Sequence, residues 1–395
     1  MKVLITSHFP LVGSGSGVYI KNMARYLIKN GHEVCVIMSE NSTKYLSLPG
    51  VKVHPVYFKG KEKIEGQLDF NFLGWDPHPR SSMTFDGATD EQIEKYERAY
   101  RKAIEEEIEE FKPDIIHAQH VWIVTSLAVD YNIPVVVTCH GEVIFYQKNM
   151  RWEKYISKII QKSKKIIAIS HHDNELIHTR YSCPEEKIIT ILNGYNPEIF
   201  YRENITKEEF LKLIGMENKY DKIVCFAGRL AKNKGVDILL RSAKIYEKSN
   251  ILTLIAGDGK EYEFLNPLKE ELGLKNVIFL GHLDQETLRK LYSVSDVNVV
   301  PSREEPFGLV ALEAIACGTP VVGTNSGGMV EFIKEDYGTL VDKENVEQLT
   351  DAINDVLNGK KKFKSKDLEE YAKNNYSQQQ YVNKILKIYE DASKL

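Results

Sequence analysis

Apolar residues are distributed along this chain in two alternating patterns. Short unbroken runs, of the length expected for strands covered on both faces, alternate with longer stretches in which apolar residues recur at helical spacing. The runs fall at Lys2–Ser7, Glu33–Ser39, Val51–Phe58, Asp114–Ala118, Pro134–Cys139, Lys165–Ser170 and Lys187–Leu192. A second series follows at Lys222–Gly228, Ile251–Ala256, Val277–Gly281, Val297–Pro301, Pro320–Thr324 and Gly338–Val341. Between them lie helical patterns. The first carries Ile20, Met23, Ala24, Leu27 and Ile28 on one face and stops at Asn30-Gly31. Another begins with Thr89 and Gln92 in capping-box spacing and shows a stripe of Ile93, Tyr96, Tyr100, Ile104 and Ile108 as far as Phe111. The acidic run Glu105–Glu110 on that helix reads as a solvated face. Helices close the chain near Glu344–Leu357, Asp367–Asn375 and Gln378–Ala392.

Strand, loop, helix and strand in regular succession predict α/β architecture with doubly wound parallel sheets. Two interruptions divide it. Asn193-Gly194-Tyr195-Asn196-Pro197 is rich in turn formers and marks a domain boundary. The expected division is a domain at 1–196, a second at 197–376, and a final helix at 377–395 returning to the first. The length of 395 residues also exceeds what one ordinary core organises. The other interruption, Lys59–Ala88, holds Trp75, Asp76, Pro77, His78, Pro79 and Arg80 without periodicity, and a loop of that length is expected to be functional or mobile.

Composition excludes several classes. A net charge of −4 argues against general nucleic-acid binding. No apolar run approaches the ~20 residues of a membrane span. The first residues pass straight into a strand with no secretory pattern, and five scattered cysteines form no C-x-x-C, so a reduced, cytoplasmic setting is expected. Cys139 reads as a small buried residue ending a strand, and His117 with His120 as structural rather than a metal pair. The basic clusters Lys360–Lys364 and Lys162, Lys164, Lys165 fit either a solvated face or weak peripheral contact with an anionic membrane.

The chemistry concentrates in Pro301–Gly318. Here a buried strand runs through a loop containing Glu305 into an apolar helix opened by Phe307 and Gly308, with Glu313 inside it. Ligands of open α/β sheets bind outside the carboxyl ends of strands, where a helix N-terminus offers unpaired N–H groups. Carboxylates beside such an anion site suit hydroxyl groups, so a phosphate-bearing polyol satisfies both demands. Arg229 and Lys234 follow the first strand of the second series and suit a diphosphate leaving group. Gly257 in Ala256-Gly257-Asp258-Gly259, and Gly281 in Leu280-Gly281-His282-Leu283, end strands at the same edge, where backbone groups reach a flat base. The loop Gly13-Ser14-Gly15-Ser16-Gly17 follows the first strand of the chain, but its spacing is not that of a dinucleotide fingerprint.

Taken together, these stretches resemble the retaining glycosyltransferases of family 4, with the GT-B architecture of two facing Rossmann-like domains. The resemblance rests on the Gly13–Gly17 loop, Asp114–His117, Ile169-Ser170, Asn193-Gly194, Gly228-Arg229 with Lys234-Gly235, Gly257–Gly259, and the Glu-x7-Glu signature at Glu305 and Glu313. It implies that Glu305 binds donor-sugar hydroxyls and Glu313 the ribose. Arg229, Lys234 and the amides of Gly308 and Leu309 would hold the diphosphate. His140 would lie under the sugar, and Gly15, Gly17, Gly257, Gly281, His282, Leu283 and Phe307 would complete the donor site. It also implies transfer of a hexose or N-acetylhexosamine from UDP-glucose or UDP-N-acetylglucosamine, without a metal, to an acceptor carried by the first domain. The Asn193–Pro197 break and the last helix would act as hinges for closure around the donor. A sugar-nucleotide epimerase or phosphorylase of the same fold, and a non-catalytic nucleotide-binding module, remain open as alternatives.

Overall fold

A computed structural model describes residues 1–394 apart from 76, 77, 79, 146–149, 218, 248 and 249. Asp76, Pro77 and Pro79, singled out in the aperiodic stretch, lie outside the described residues. The chain divides into two units, Met1–Leu192 together with Tyr381–Leu395, and Asn193–Gln380.

The first unit is built on seven strands: β1 (Lys2–Thr6), β2 (Glu33–Glu40), β3 (Lys52–Tyr57), β4 (Ile115–Gln119), β5 (Val135–Cys139), β6 (Lys165–Ala168) and β7 (Ile188–Thr190). All pair in parallel in the order β3-β2-β1-β4-β5-β6-β7. Helices cover both faces, which is why the central strands are apolar throughout. The helix Gly15–Lys29 buries Ile20, Met23, Ala24 and Leu27 and ends at Asn30. The helix Asp90–Glu110 starts on the reciprocal Thr89–Gln92 capping box.

One residue of the acidic run departs from the sequence expectation. Glu107 is buried on the sheet side, where it pairs with Lys52 at 2.8 Å and with His54 Nδ1 at 2.7 Å. Both partners come from β3, so the stripe that looked solvated contains an internal ionic anchor. The 59–88 stretch also departs. Phe70, Phe72, Leu73, Phe85 and Ala88 are buried in the same core as Phe58, Tyr96 and Tyr100, so its described part is a packed lobe and not a free loop. Bridges between Phe58 and Leu68 and between Gly74 and Thr84 fix its course.

The last helix, Gln378–Ser393, completes this unit. Val382, Ile385 and Tyr389 are fully buried against Ile20, Met23 and Val36, and each buried side chain of this size contributes roughly 1.5–3 kcal/mol. The Tyr389 hydroxyl meets His117 Nδ1 at 2.6 Å, while His117 Nε2 meets Thr138 Oγ1 at 2.7 Å. With both ring nitrogens engaged, His117 has the structural role that its sequence context suggests. Cys139 is likewise buried at the end of β5.

The second unit has six strands: β8 (Lys222–Ala227), β9 (Ile251–Ala256), β10 (Val277–Gly281), β11 (Val297–Val300), β12 (Val321–Thr324) and β13 (Gly338–Val341). They pair in parallel in the order β10-β9-β8-β11-β12-β13. The basic clusters are partly neutralised: Lys162 pairs with Asp130 at 3.2 Å and Lys360 with Asp355 at 3.1 Å. Among the described residues, no helix is long and apolar enough to cross a membrane.

Candidate active site

In the second unit the strand order reverses between β8 and β11, and a doubly wound sheet opens its ligand crevice at the carboxyl ends of such a pair. The two loops leaving those ends are Gly228–Gly235 and Pro301–Gly308. They are joined by backbone contact at the first loop's end. Gly235 has φ +66°, and a Cβ there would stand 2.0 Å from the Pro301 carbonyl oxygen, so only glycine allows this approach. On the far side, a Cβ on Gly327 would stand 1.7 Å from the Glu305 carbonyl oxygen. The Glu305 loop is thus clamped from both flanks by backbone.

Inside the clamp, Lys234 Nζ donates to Glu305 Oε2 at 2.6 Å, and the Ser302 hydroxyl donates to the same oxygen at 3.1 Å. Glu305 is 8 % exposed and its partner's side chain 23 %, so the pair is sheltered yet reachable. The sequence separated these residues into two roles, and the structure brings them into one ion pair. Arg303, which sequence reasoning missed, braces the arrangement. Its guanidinium donates to both carboxylate oxygens of Asp237 at 2.8 Å and to the Lys232 carbonyl at 2.7 Å, and it also reaches Glu344. The Arg303 amide donates to the Asn233 carbonyl at 2.8 Å. Burial alone would raise the Asp237 carboxyl, but the guanidinium outweighs it and holds the group below its usual range.

The helix Leu309–Ala316 begins at this crevice with Gly308 as its cap at φ +96°; the Ala311 and Leu312 amides donate to the Gly308 carbonyl, while those of Leu309 and Val310 precede the first intrahelical acceptor. Phe307 is 2 % exposed, its ring against Phe332 at 5.1 Å. It therefore anchors the loop, and only its backbone is offered to a ligand. Glu313 lies half-buried in the helix, and burial alone pushes its carboxyl up to about 8. Arg229 is exposed at the start of its loop.

The loops after β9 and β10 extend the sheet. Gly257 N–H donates to the Gly281 carbonyl at 2.7 Å, and Leu230 N–H to the Asp258 carbonyl at 2.7 Å. A Cβ on Gly257 would strike the Gly228 carbonyl at 1.8 Å, so this glycine serves backbone packing before any ligand. Gly281 has open space beside it, His282 is exposed and Leu283 half-buried.

In the first unit, Ser14 caps the helix Gly15–Lys29 by accepting from Gly17 N–H at 3.0 Å. That amide is committed to the cap. Gly15, as first residue of the helix, retains an N–H without an intrahelical acceptor. His140 follows β5. Its Nε2 lies 2.8 Å from Gln119 Oε1, and burial pushes its imidazole down to about 3, so it is neutral at physiological pH. Its position is set by Glu142, another residue the sequence did not flag. This buried carboxylate accepts from the amides of His140 at 2.7 Å and Val121 at 2.6 Å, tying together the loops after β4 and β5.

Comparison with known proteins agrees with this architecture. Residues 13–199 match the model described as Glycosyltransferase Family 4, and residues 208–378 that of Glycosyl transferases group 1. The chain is 32% identical over 380 residues to an uncharacterized glycosyltransferase of Methanocaldococcus jannaschii, covering 90% of this chain and 89% of that one. It is 27% identical over 396 residues to the N-acetyl-alpha-D-glucosaminyl L-malate synthase of Bacillus anthracis, covering 99% and 96%. Among solved structures, HepE of Anabaena in complex with UDP and glucose superposes with a TM-score of 0.78 at 19% identity, covering 99% of each chain. Sucrose-phosphate synthase of Thermosynechococcus elongatus gives the same score at 20% identity, covering 99% of this chain and 98% of that one. The two family models and the 32% identity across 90% of the chain make it a glycosyltransferase of group 1, family 4, and its two parallel-sheet units have the GT-B fold.

Proposed function

We propose that this enzyme transfers a hexose or N-acetylhexosamine from a UDP-sugar to an acceptor hydroxyl, with retention of the donor's α configuration. The observation that carries this reading is the Lys234–Glu305 pair, held at 2.6 Å at the switch point beside the helix that Gly308 opens. A cation and unpaired amides suit the diphosphate, and an adjacent carboxylate suits the sugar hydroxyls. The acceptor oxygen attacks the anomeric carbon on the face from which the diphosphate leaves. The bond from that carbon to the phosphate oxygen breaks, and the acceptor's proton passes to the departing phosphate. Arg229 and Lys234 stabilise the charge that develops there, and the amides of Gly308 and Leu309 share it. Glu313 receives the ribose. The choice of uridine is supported by HepE of Anabaena, solved with UDP and with UDP-glucose. The test is incubation with UDP-glucose and UDP-N-acetylglucosamine and a panel of acceptors, with NMR of fresh product. An α linkage is expected, and a β linkage from these α donors would overturn retention. Turnover of the nucleotide sugar that changes the sugar itself, with no acceptor present, would move the reading to an epimerase.

A further inference from the structure

At the amino-end edge of the second unit's sheet, opposite the donor crevice, a cavity of about 570 Å³ lies beside Asp296 and Pro320. Asp296 immediately precedes β11 and Pro320 immediately precedes β12. The volume is in the range that holds a small ligand. Its charged lining is five cations, Arg202, Lys207, Lys361, Lys362 and Lys364, against the single carboxylate of Asp296. That carboxylate is already satisfied. It accepts from Lys207 at 2.7 Å, from Lys222 at 3.2 Å and from the Ile223 amide at 2.8 Å. The other four cations of the wall have no carboxylate within the cavity to answer them.

Ion pairing along the Lys360–Lys366 segment separates the residues that line this cavity from those that do not. Lys360 pairs with Asp355 at 3.1 Å and Lys366 with Glu370 at 3.8 Å, and neither lysine is part of the wall. Lys361 donates to the Thr339 hydroxyl at 3.1 Å, and among the described residues neither it nor Lys362 or Lys364 pairs with a carboxylate. Glu335, Asp336 and Asp367 border a second hollow that the same segment also lines, yet none of them forms an ion pair with these lysines. Arg202 is fixed through one nitrogen. Its Nη1 donates to Ser365 Oγ at 2.9 Å and to the Gly318 carbonyl at 3.4 Å, which leaves other N–H groups of the fork for a ligand. Arg202 also acts on Glu369, whose carboxyl burial raises more than the guanidinium lowers it. Backbone adds to the positive wall. The helix Ser365–Tyr376 starts here with Lys364 as its cap and no side-chain cap bond. The Asp367 and Leu368 amides donate to the Lys364 carbonyl, so those of Ser365 and Lys366 precede the first intrahelical acceptor.

We propose that this cavity is a second anion site, distinct from the donor crevice, and that it takes the phosphate of a small polyvalent anion. Single exposed ion pairs contribute little, but a compact dianion set among Arg202, Lys361, Lys362 and Lys364 engages several cations at once. The helix end favours the same charge, and its free amides suit phosphate oxygens. A dissolved phosphate and a lipid headgroup phosphate share this chemistry. The site lies wholly in the second unit and does not depend on which sugar the enzyme transfers.

The test is calorimetry on the full chain at low salt with pyrophosphate and with ribose 5-phosphate, with and without enough UDP to fill the donor crevice. Ribose is the uncharged control. Both phosphates are expected to bind in the presence of UDP and ribose is not, with affinity falling as salt is raised. Lys362→Ala combined with Lys364→Ala should weaken the phosphates about tenfold, and Arg202→Gln by a similar factor, with UDP affinity unchanged. Lys360→Ala and Lys366→Ala remove paired charges from the same segment and should leave binding as it was. Equal weakening by these controls and by the wall variants would reduce the effect to general attraction and overturn the site. Absence of phosphate binding would overturn it too, as would binding that UDP abolishes and the wall variants do not alter, which belongs to the donor crevice. Flotation with vesicles of phosphatidylcholine and phosphatidic acid separates the two sources. Flotation that pyrophosphate competes away and the double variant loses assigns a headgroup phosphate, and soluble binding without flotation assigns a dissolved one. Lys362 and Lys364 are exposed, so the double variant is expected to fold, and its melting temperature checks this.

Discussion

If Glu313 receives the ribose, as proposed, nucleotide binding should release a proton. Its carboxyl is pushed up to about 8 by burial alone, so at pH 7 it is ~90% protonated in the free enzyme. Ribose hydroxyls that donate to it favour the charged form and lower that value. If it falls below about 5 in the complex, ~0.9 proton leaves on binding, and affinity rises at most tenfold per pH unit between ~5 and ~8. Titration calorimetry with UDP at pH 7, in buffers of different ionisation enthalpy, reads the proton count as a slope. The phosphate itself titrates near ~6 and contributes a small part. Glu313→Gln isolates the carboxyl's share, and its slope should collapse to that remainder. An equal proton count in both proteins would refute the assignment of Glu313 to the ribose. Folding stability supplies an independent check. Because the folded value is raised, the free enzyme binds a proton that the unfolded chain has lost, so this group's contribution falls as pH rises from ~4.5 toward ~8. The Gln variant should gain on the unaltered protein over that window, by about 1–3 kcal/mol at pH 8 in urea unfolding once partial exposure is allowed for.

Other outcomes follow from the crevice at β8 and β11. Lys234→Ala should lower kcat by ~10²–10³ with a smaller change in donor affinity, and a rise in KM alone would make the lysine a binding contact. Arg229→Lys should keep only part of the activity that Arg229→Ala loses, because a point charge does not reproduce the planar fork, and kinetics unchanged in both would place the diphosphate elsewhere. Arg303→Ala breaks a two-pronged pair with Asp237, expected to destabilise by about 2–3 kcal/mol and to lower kcat while UDP affinity holds; wild-type turnover would show that the Glu305 loop does not depend on the brace. Transfer in the presence of EDTA should match transfer without it, and loss restored by a divalent cation would bring a metal into the mechanism.

The alternating elements were legible because central strands covered on both faces leave continuous apolar runs, and because the Thr89–Gln92 and Asn30-Gly31 signals act through neighbouring residues. The Glu305–Glu313 spacing was legible for the same reason: loop and helix are contiguous. What escaped depended on partners far away in sequence. Glu107 looks solvated until β3 delivers Lys52 and His54, and Arg303 looks like a surface charge until Asp237 faces it from the first turn of the helix Val236–Tyr246. The Phe70–Phe85 aromatics have no period because their burial is decided by docking onto a core, not by a repeating local conformation. The glycines of the Gly13–Gly17 loop do not tell by themselves which amides are free, because the Ser14 cap that consumes the Gly17 N–H depends on where the helix starts.

The helix Gln378–Ser393 gives the chain an unusual order of assembly. The first unit contains residues from both extremities of the sequence, with Tyr389 reaching His117 and Tyr381 reaching Tyr19. During synthesis the β1–β7 sheet emerges early, but its covering layer near Ile20 and Val36 is supplied only after the whole second unit has been made. Until then the sheet carries an uncovered apolar strip that a chaperone would recognise. A chain stopped at Tyr376 should therefore injure the part made first: the second unit would keep its melting transition, while the first would lose cooperativity, expose Tyr19 and become the aggregating species.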